Sequence, residues 1–467
     1  MSEAETSEVP VEAANIPASR SWIERLWSSI ADRGRAFAPV VGASLPLDRA
    51  KELADSLLTE RGEASGAAVA RDLMTALRGL DPSSRAAFHR HLAENYGPRH
   101  DKLREAAEIY LADPTAENAA RLGHCAEPPR QELLRRMNMS PGGTAALVEM
   151  RRQVLGAMRH DPSLSPLERD LHHLFTSWFN RGFLQLRRID WQTPAAVLEK
   201  LIEYEAVHEI AGWHDLRRRL AADRRCFGFF HPALPHEPLI FVEVALVQGL
   251  ASAVQPLLAA EGEAGAEARA EAADTAIFYS ISNCQDGLRG ISFGNFLIKQ
   301  VVEDLKAELP QLVRFSTLSP IPGFRRWLDR RMETDDAAAE LALPLSDPDW
   351  ATDVLKSEAL RPALMRLCAQ YLTDPGPGAR MDPVARFHLG NGARLERINW
   401  LGNTAPRGMT ESHGLMVNYL YDREEIERNH EAFARGGVVV RSGAVDALLA
   451  PPPKGSKAAK RLAKAAS

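Results

Sequence analysis

The sequence predicts an α+β protein, an all-α bundle followed by an α/β domain. Two changes along the chain carry that reading. From 47 to about 200, apolar residues recur at three- and four-residue spacings, as in Leu103, Ala106 and Tyr110, which is the period of a helix with one buried face. Past Arg224, short β-branched and aromatic runs replace that period. The length of 467 residues allows two or three domains, and 45% apolar with 25% charged residues is ordinary globular usage.

Residues 1–45, rich in Ala, Glu, Ser and Pro, read as a flexible leader with a short docking helix over 22–27. Residues 46–200 read as a helical domain of six to eight elements. Pro82, Pro98 and the Asp113-Pro114 pair mark helix starts, because proline fits the first helical turn. The commonest role of such a bundle is subunit or interdomain packing. Residues 201–450 form the second domain. Strands are expected at 226–230 and 239–247, on either side of a Pro-rich loop, and at 275–282, 312–318, 393–401 and 415–421. Helices are expected at 292–309, 324–330, 350–372 and 424–432, with an acidic loop or frayed helix at 259–274. Residues 451–467 read as a disordered basic tail.

The balance of 57 basic and 62 acidic side chains gives a net charge of -5. A bulk nucleic-acid binder would be strongly basic. Cys125, Cys226, Cys284 and Cys368 form no CxxC pair, which excludes a zinc knuckle and points to buried thiols in a reducing compartment. The acidic N-terminus lacks an apolar signal core, apolar runs are short of a membrane span, and the chain ends in AAS rather than SKL. These features lead to the expectation of a cytoplasmic protein that engages neither membrane nor nucleic acid.

The strand expected at 275–282 runs into NCQDGLRGISFGNF and then an amphipathic helix. Free N–H groups at a helix start suit phosphate. No GxxxxGK[ST] or GxGxxG spacing is present. Arg289, Gly290, Ser292 and Gly294 instead resemble the [RQ]xxGxG/A loop that holds the coenzyme A diphosphate in the GCN5-related N-acetyltransferase (GNAT) fold, with Ser292 at the middle glycine. Taken alone, the segment is equally readable as a plain strand-to-helix turn.

Six segments make the resemblance specific: FFHPALPHEPLIFVEVAL, AIFYSISNCQDGLRGISFGNFLIKQVVEDL, FSTLSPIPGFRRWL, LMRLCAQYL, DPVARFHLGNGARLERINWLG and GLMVNYLYD. In this order they resemble the malonyl-CoA decarboxylase family over roughly residues 80–435. The resemblance implies an oligomerising helical domain, with a tetramer as one form, and a catalytic domain of acetyltransferase fold. The reaction it implies takes malonyl-CoA to acetyl-CoA and carbon dioxide without metal or organic cofactor. By the same resemblance, Ser319 and His388 fall on the catalytic serine and histidine, and Tyr421 on an active-site tyrosine. Where some relatives carry a glutamate implicated in the site, this chain has Ser292.

That reaction leaves charge on C2 and on the thioester oxygen, so hydrogen-bond donors must meet the oxyanion and C2 must take a proton. An imidazole suits both tasks. Ser319, ahead of Pro320 and Pro322, could position the carboxylate or the carbonyl. No GxSxG elbow surrounds it, which argues against an acyl-serine. Tyr421 could donate to the carboxylate or shape the pocket, and Asn283 and Asn418 are either pocket-lining or structural amides. An acyltransferase with an acceptor pocket and a non-catalytic acyl-CoA sensor are the competing readings.

Overall fold

The computed structural model describes residues 22–35, 45–59, 62–259, 265–291, 293, 297–376 and 378–450. The expected tail at 451–467 lies outside them, as do Ser292 and Gly294. Contacts divide the chain into two units: Met1–Trp178 with Pro232–Pro235 and Gly287–Ile291, and Phe179–His231 with His236–Asp286 and Ser292–Ser467.

The first unit holds helices α1 (Trp22–Gly34), α2 (Pro46–Thr59), α3 (Glu63–Arg78), α4 (Pro82–Asn95), α5 (His100–Ala112), α6 (Ala116–Ala126), α7 (Pro129–Asn138), α8 (Gly143–Ala157) and α9 (Ser165–Trp178). Local chemistry sets several starts. Asp81 accepts from the amides of Ser83 (2.8 Å) and Ser84 (3.0 Å), with Pro82 at the first helical position. Thr115 caps α6, so Pro114 precedes that helix instead of entering its first turn. Leu57, Phe88, Leu92, Leu134, Leu171 and Phe175 are buried, each stabilising by about 1.5–3 kcal/mol. Inside this core, Arg130 donates to Asp170 (2.7 Å) and to the carbonyls of Leu92 (2.9 Å) and Ala93 (3.0 Å). A buried guanidinium persists only when its donors are met in this way. Within the expected leader, α1 extends well past 27, and Asp32 and Arg35 form ion pairs with Arg71 and Asp72 of α3.

A second buried guanidinium in this unit belongs to Arg151 of α8. It donates to the carbonyls of Gly287 (2.7 Å) and Arg289 (2.9 Å) and to the Glu168 carboxylate (2.8 Å). Gly287 sits so close to α8 that a Cβ there would lie 2.0 Å from the Val148 carbonyl oxygen. A side chain is therefore excluded at 287.

The second unit is built on strands β1 (Gln185–Ile189), β2 (Arg224–His231), β3 (Leu234–Val247), β4 (Thr275–Asn283), β5 (Arg314–Thr317), β6 (Ser319–Pro320), β7 (Arg394–Asn399) and β8 (Met416–Leu420). The sheet order is β1-β2-β3-β4-β5-β8-β6, with β7 on β8. β4 and β5 pair in parallel, while β1–β2, β3–β4, β5–β8, β6–β8 and β7–β8 pair antiparallel, so the protein is α+β with a mixed sheet. The helices are α10 (Ala195–Tyr204), α11 (Trp213–Arg219), α12 (Gln255–Leu258), α13 (Ala266–Ala272), α14 (Leu297–Glu308), α15 (Phe324–Met332), α16 (Asp336–Ala339), α17 (Ala342–Ser346), α18 (Val354–Thr373), α19 (Pro383–Gly390), α20 (Pro406–Ser412), α21 (Ile426–Gly436) and α22 (Gly443–Leu449). β4 is buried at nearly every position, so both of its faces are covered, and its apolar run is Ala276 to Tyr279. Leu198 and Leu201 of α10 pack with Phe230 and Phe241, and Leu257 of α12 packs with Ile277 and Met416. Within the unit, Arg219 and Glu243 form a fully buried ion pair at 2.8 Å.

Three expectations are corrected. The helical region ends at Trp178 rather than at 200, because 185–189 pairs with β2 and α10 joins the core of the sheet. Only Ile189 of β1 is buried, so this strand lacks the alternation that would reveal it. The Pro-rich stretch after β2 is a tight reversal, since β3 begins at Leu234. Cys125 is half-buried, while the other three thiols are buried and free.

Candidate active site

β5, β6 and β8 place three side chains of the second unit around one imidazole. Ser319 lies opposite Val417 on β8. Tyr421, just past β8, is anchored by its amide to the Phe315 carbonyl at 2.8 Å. His388 comes from α19, whose start is set by Asp382 accepting from the amides of Val384 (2.9 Å) and Ala385 (3.2 Å), with Pro383 at the first helical position. The second Asp382 oxygen accepts from the amide of Gly323 (3.1 Å) and the Tyr371 hydroxyl (3.2 Å). This one carboxylate therefore ties the loop after Ser319 to the helix that carries His388.

His388 Nε2 lies 3.1 Å from Ser319 Oγ, and its Nδ1 lies 2.8 Å from the Tyr421 hydroxyl. Ser319 Oγ donates to Thr317 Oγ1 at 2.8 Å, and that oxygen also accepts the Tyr419 amide at 3.1 Å. With Ser319 donating to Thr317, the consistent direction has Tyr421 donating to Nδ1 and Nε2–H donating to Ser319. The Tyr419 ring stacks on the imidazole at 4.8 Å. His388 is 3% exposed and Tyr421 2%. Burial pushes the His388 pKa down to about 3 and the Tyr421 phenol up, so the imidazole is neutral at ordinary pH. Among the described residues no carboxylate touches its Nδ1, unlike the hydrolytic triad in which an acid orients the base. The group holds protons in a line and has no strong base to turn Ser319 into a nucleophile.

The structure thus brings together Ser319, His388 and Tyr421 as one hydrogen-bonded row. Asn418 is a structural amide, donating to the carbonyls of Thr317 (2.6 Å) and Ala251 (3.1 Å) while accepting from Asn399 (2.9 Å). Asn283 is exposed at the end of β4. Arg289 and Gly290 belong to the first unit's 287–291 segment, where Gly290 has φ +81 and the Arg289 carbonyl faces Arg151. Sequence reasoning missed Thr317, Tyr419 and Asp382. The two-residue period of a strand puts Thr317 on the face of Ser319, and Asp382-Pro383 is a helix-start signal. Among the described residues no group of three or more His, Cys, Asp or Glu side chains could hold a metal ion, and no helix is long and apolar enough to cross a membrane.

Two family models match the chain: the malonyl-CoA decarboxylase C-terminal domain over residues 182–459 and the malonyl-CoA decarboxylase N-terminal domain over residues 96–179. The chain belongs to the malonyl-CoA decarboxylase family. Within this family, the mitochondrial malonyl-CoA decarboxylase of Anser anser anser is 38% identical over 76% of this chain and 78% of that protein. The mitochondrial malonyl-CoA decarboxylase of Mus musculus is 34% identical, covering 84% of this chain and 87% of its own. Among solved structures, malonyl-CoA decarboxylase from Rhodopseudomonas palustris is 52% identical, with a TM-score of 0.81 over 86% of this chain and 99% of that one. The enzyme from Agrobacterium vitis is 49% identical with a TM-score of 0.79, again over 86% and 99%. The curated relatives are mitochondrial proteins, which overturns the cytoplasmic expectation. The acidic N-terminus, the AAS ending and the scattered thiols carry no positive signal for the cytoplasm.

Proposed function

We propose that the protein is a carboxy-lyase that converts malonyl-CoA to acetyl-CoA and carbon dioxide through the Ser319–His388–Tyr421 row. The observation that carries this reading is the buried neutral imidazole with a hydroxyl on each nitrogen, in a chain of this family. Breaking the bond to the carboxylate leaves its electron pair on C2 and, by resonance, on the thioester oxygen. With substrate bound, Ser319 O–H turns from Thr317 toward that oxygen, the single proton C2 takes up leaves His388 Nε2 as Tyr421 passes its own to Nδ1, and water returns one proton to the row. A neutral imidazole accepts at one nitrogen as it donates from the other, so Tyr421 orients His388 and backs the proton it supplies.

Arg289 and Gly290, with Ser292 and Gly294, are the proposed contacts of the coenzyme A diphosphate. The order of strand β4, turn and helix α14 supports that assignment and the acetyltransferase-type reading of the second unit. The helical region is the proposed site of homo-oligomer formation, a tetramer being the expected form. Support comes from α6, which buries none of its residues, and from Leu111, which is 80% exposed on α5. The deciding experiment follows purified protein with malonyl-CoA by mass spectrometry of the thioesters. His388→Ala should lose at least ~10²-fold in turnover while still binding coenzyme A. A near-native rate would remove His388 from the chemistry, and acylated acceptor in place of acetyl-CoA would mark a transferase.

A further inference from the structure

A cleft of about 1030 Å³ lies within the second unit, bordered by α15, α19 and the segment that follows α18. Among the described residues, five arginines line it and no Asp or Glu does. Arg331 is held by Asp335 at 2.8 Å. Arg326, Arg330, Arg380 and Arg386 are exposed and, among the described residues, pair with no carboxylate. The nearby Asp382 is buried and turns both oxygens toward amides and the Tyr371 hydroxyl, so it does not pair with these arginines. Four like charges around one concavity repel one another, and a polyanion relieves that repulsion. Guanidinium forks match phosphoryl oxygens two donors at a time, and the volume is that of a small-ligand pocket.

We propose that this cleft binds a phosphate-bearing anion carrying two or more negative charges, held by Arg326, Arg330, Arg380 and Arg386. The cleft shares elements with the Ser319–His388 pair. Gly323 on its wall follows the Ser319 loop, and Arg386 precedes His388 on α19. An occupant therefore bears on both sides of the pair. The phosphates have two possible sources: the nucleotide end of the acyl-CoA thioester, or a free nucleotide or polyphosphate. The first source rests on the malonyl-CoA reading above; the anion site itself does not.

The test uses the full chain and two double variants, Arg326→Gln with Arg330→Gln and Arg380→Gln with Arg386→Gln. These exposed positions leave the core intact, which circular dichroism checks. Calorimetric titration with adenosine 3′,5′-bisphosphate and with inorganic pyrophosphate should show binding to the native chain, weakened at least about tenfold in each variant and by added salt. If the coenzyme A end is the occupant, the variants raise KM for malonyl-CoA about tenfold and leave KM for malonyl-pantetheine unchanged. If a separate anion is the occupant, both KM values hold and the bisphosphate binds alongside coenzyme A. Equal binding of both probes by native chain and variants, or no binding by any of them, overturns the site. Failure of the decarboxylase reading would show separately, as native protein that forms no acetyl-CoA.

Discussion

Tyr421→Phe isolates one link of the row. It deletes the hydroxyl 2.8 Å from His388 Nδ1 and keeps the ring against Phe278. The imidazole is 3% exposed, so water does not readily replace the lost donor. A buried nitrogen left without its partner costs about 1–3 kcal/mol. The same free energy holds the tautomer that points Nε2–H at Ser319. If that tautomer is the reactive one, turnover falls by a factor of about 5–150, at ~1.4 kcal/mol per decade. KM should hold within about twofold, since a buried phenol behind the imidazole contributes little to ground-state binding. The assay pairs steady-state acetyl-CoA formation with urea unfolding. Both kcat and the unfolding midpoint should drop. A native kcat with a lowered midpoint would reduce Tyr421 to a packing residue and refute the relay.

Other perturbations have equally definite outcomes. Burial lowers the pKa of His388 to about 3 and those of His89, His208 and His413 to about 4. Each is neutral in the folded chain, whereas the unfolded chain takes up protons below about 6.5. Stability is therefore full above that pH and falls as pH drops toward 4, by up to about 1.4 kcal/mol per pH unit for each histidine. Urea midpoints from pH 7 to 4.5 check this, and a flat profile contradicts it. Arg219→Met strands the fully buried Glu243 carboxylate and should cost about 3–5 kcal/mol in urea unfolding. Adding Glu243→Leu should restore most of that loss. Arg151→Met leaves the carbonyls of Gly287 and Arg289 without their donor. Amide exchange over 287–291 should accelerate at least about tenfold, and unchanged protection would rule out Arg151 as the clamp.

Much of this was legible in the sequence because local chemistry decides it. Asp81-Pro82 writes a cap and a first turn, and the apolar runs of β3 and β4 announce strands covered on both faces. Pro320 and Pro322 place Ser319 at a strand end. What was not legible depends on partners far away in sequence. Gln185–Ile189 is a polar edge strand made regular by β2, and nothing in its own residues signals pairing. The same holds for the row at His388. Residue types and family resemblance nominated Ser319, His388 and Tyr421, but only the fold puts Tyr421 on Nδ1 instead of in a pocket wall. Asn418 and Asp382 show the converse: one polar side chain open to a binding role proves to be a backbone clamp, and one unremarked carboxylate joins two elements of the site.

The clamp formed by Arg151 also sets a timetable for the nascent chain. Its carbonyl acceptors lie 136 and 138 residues further along, and ribosomes add about 5–20 residues per second. For roughly 7–30 s the helices upstream exist without two of the acceptors that satisfy the N–H groups of a guanidinium in their interior. A fragment ending at Trp178 never acquires them. The N-terminal helices, although made first, reach their final stability only after the strands through β4 have been synthesised.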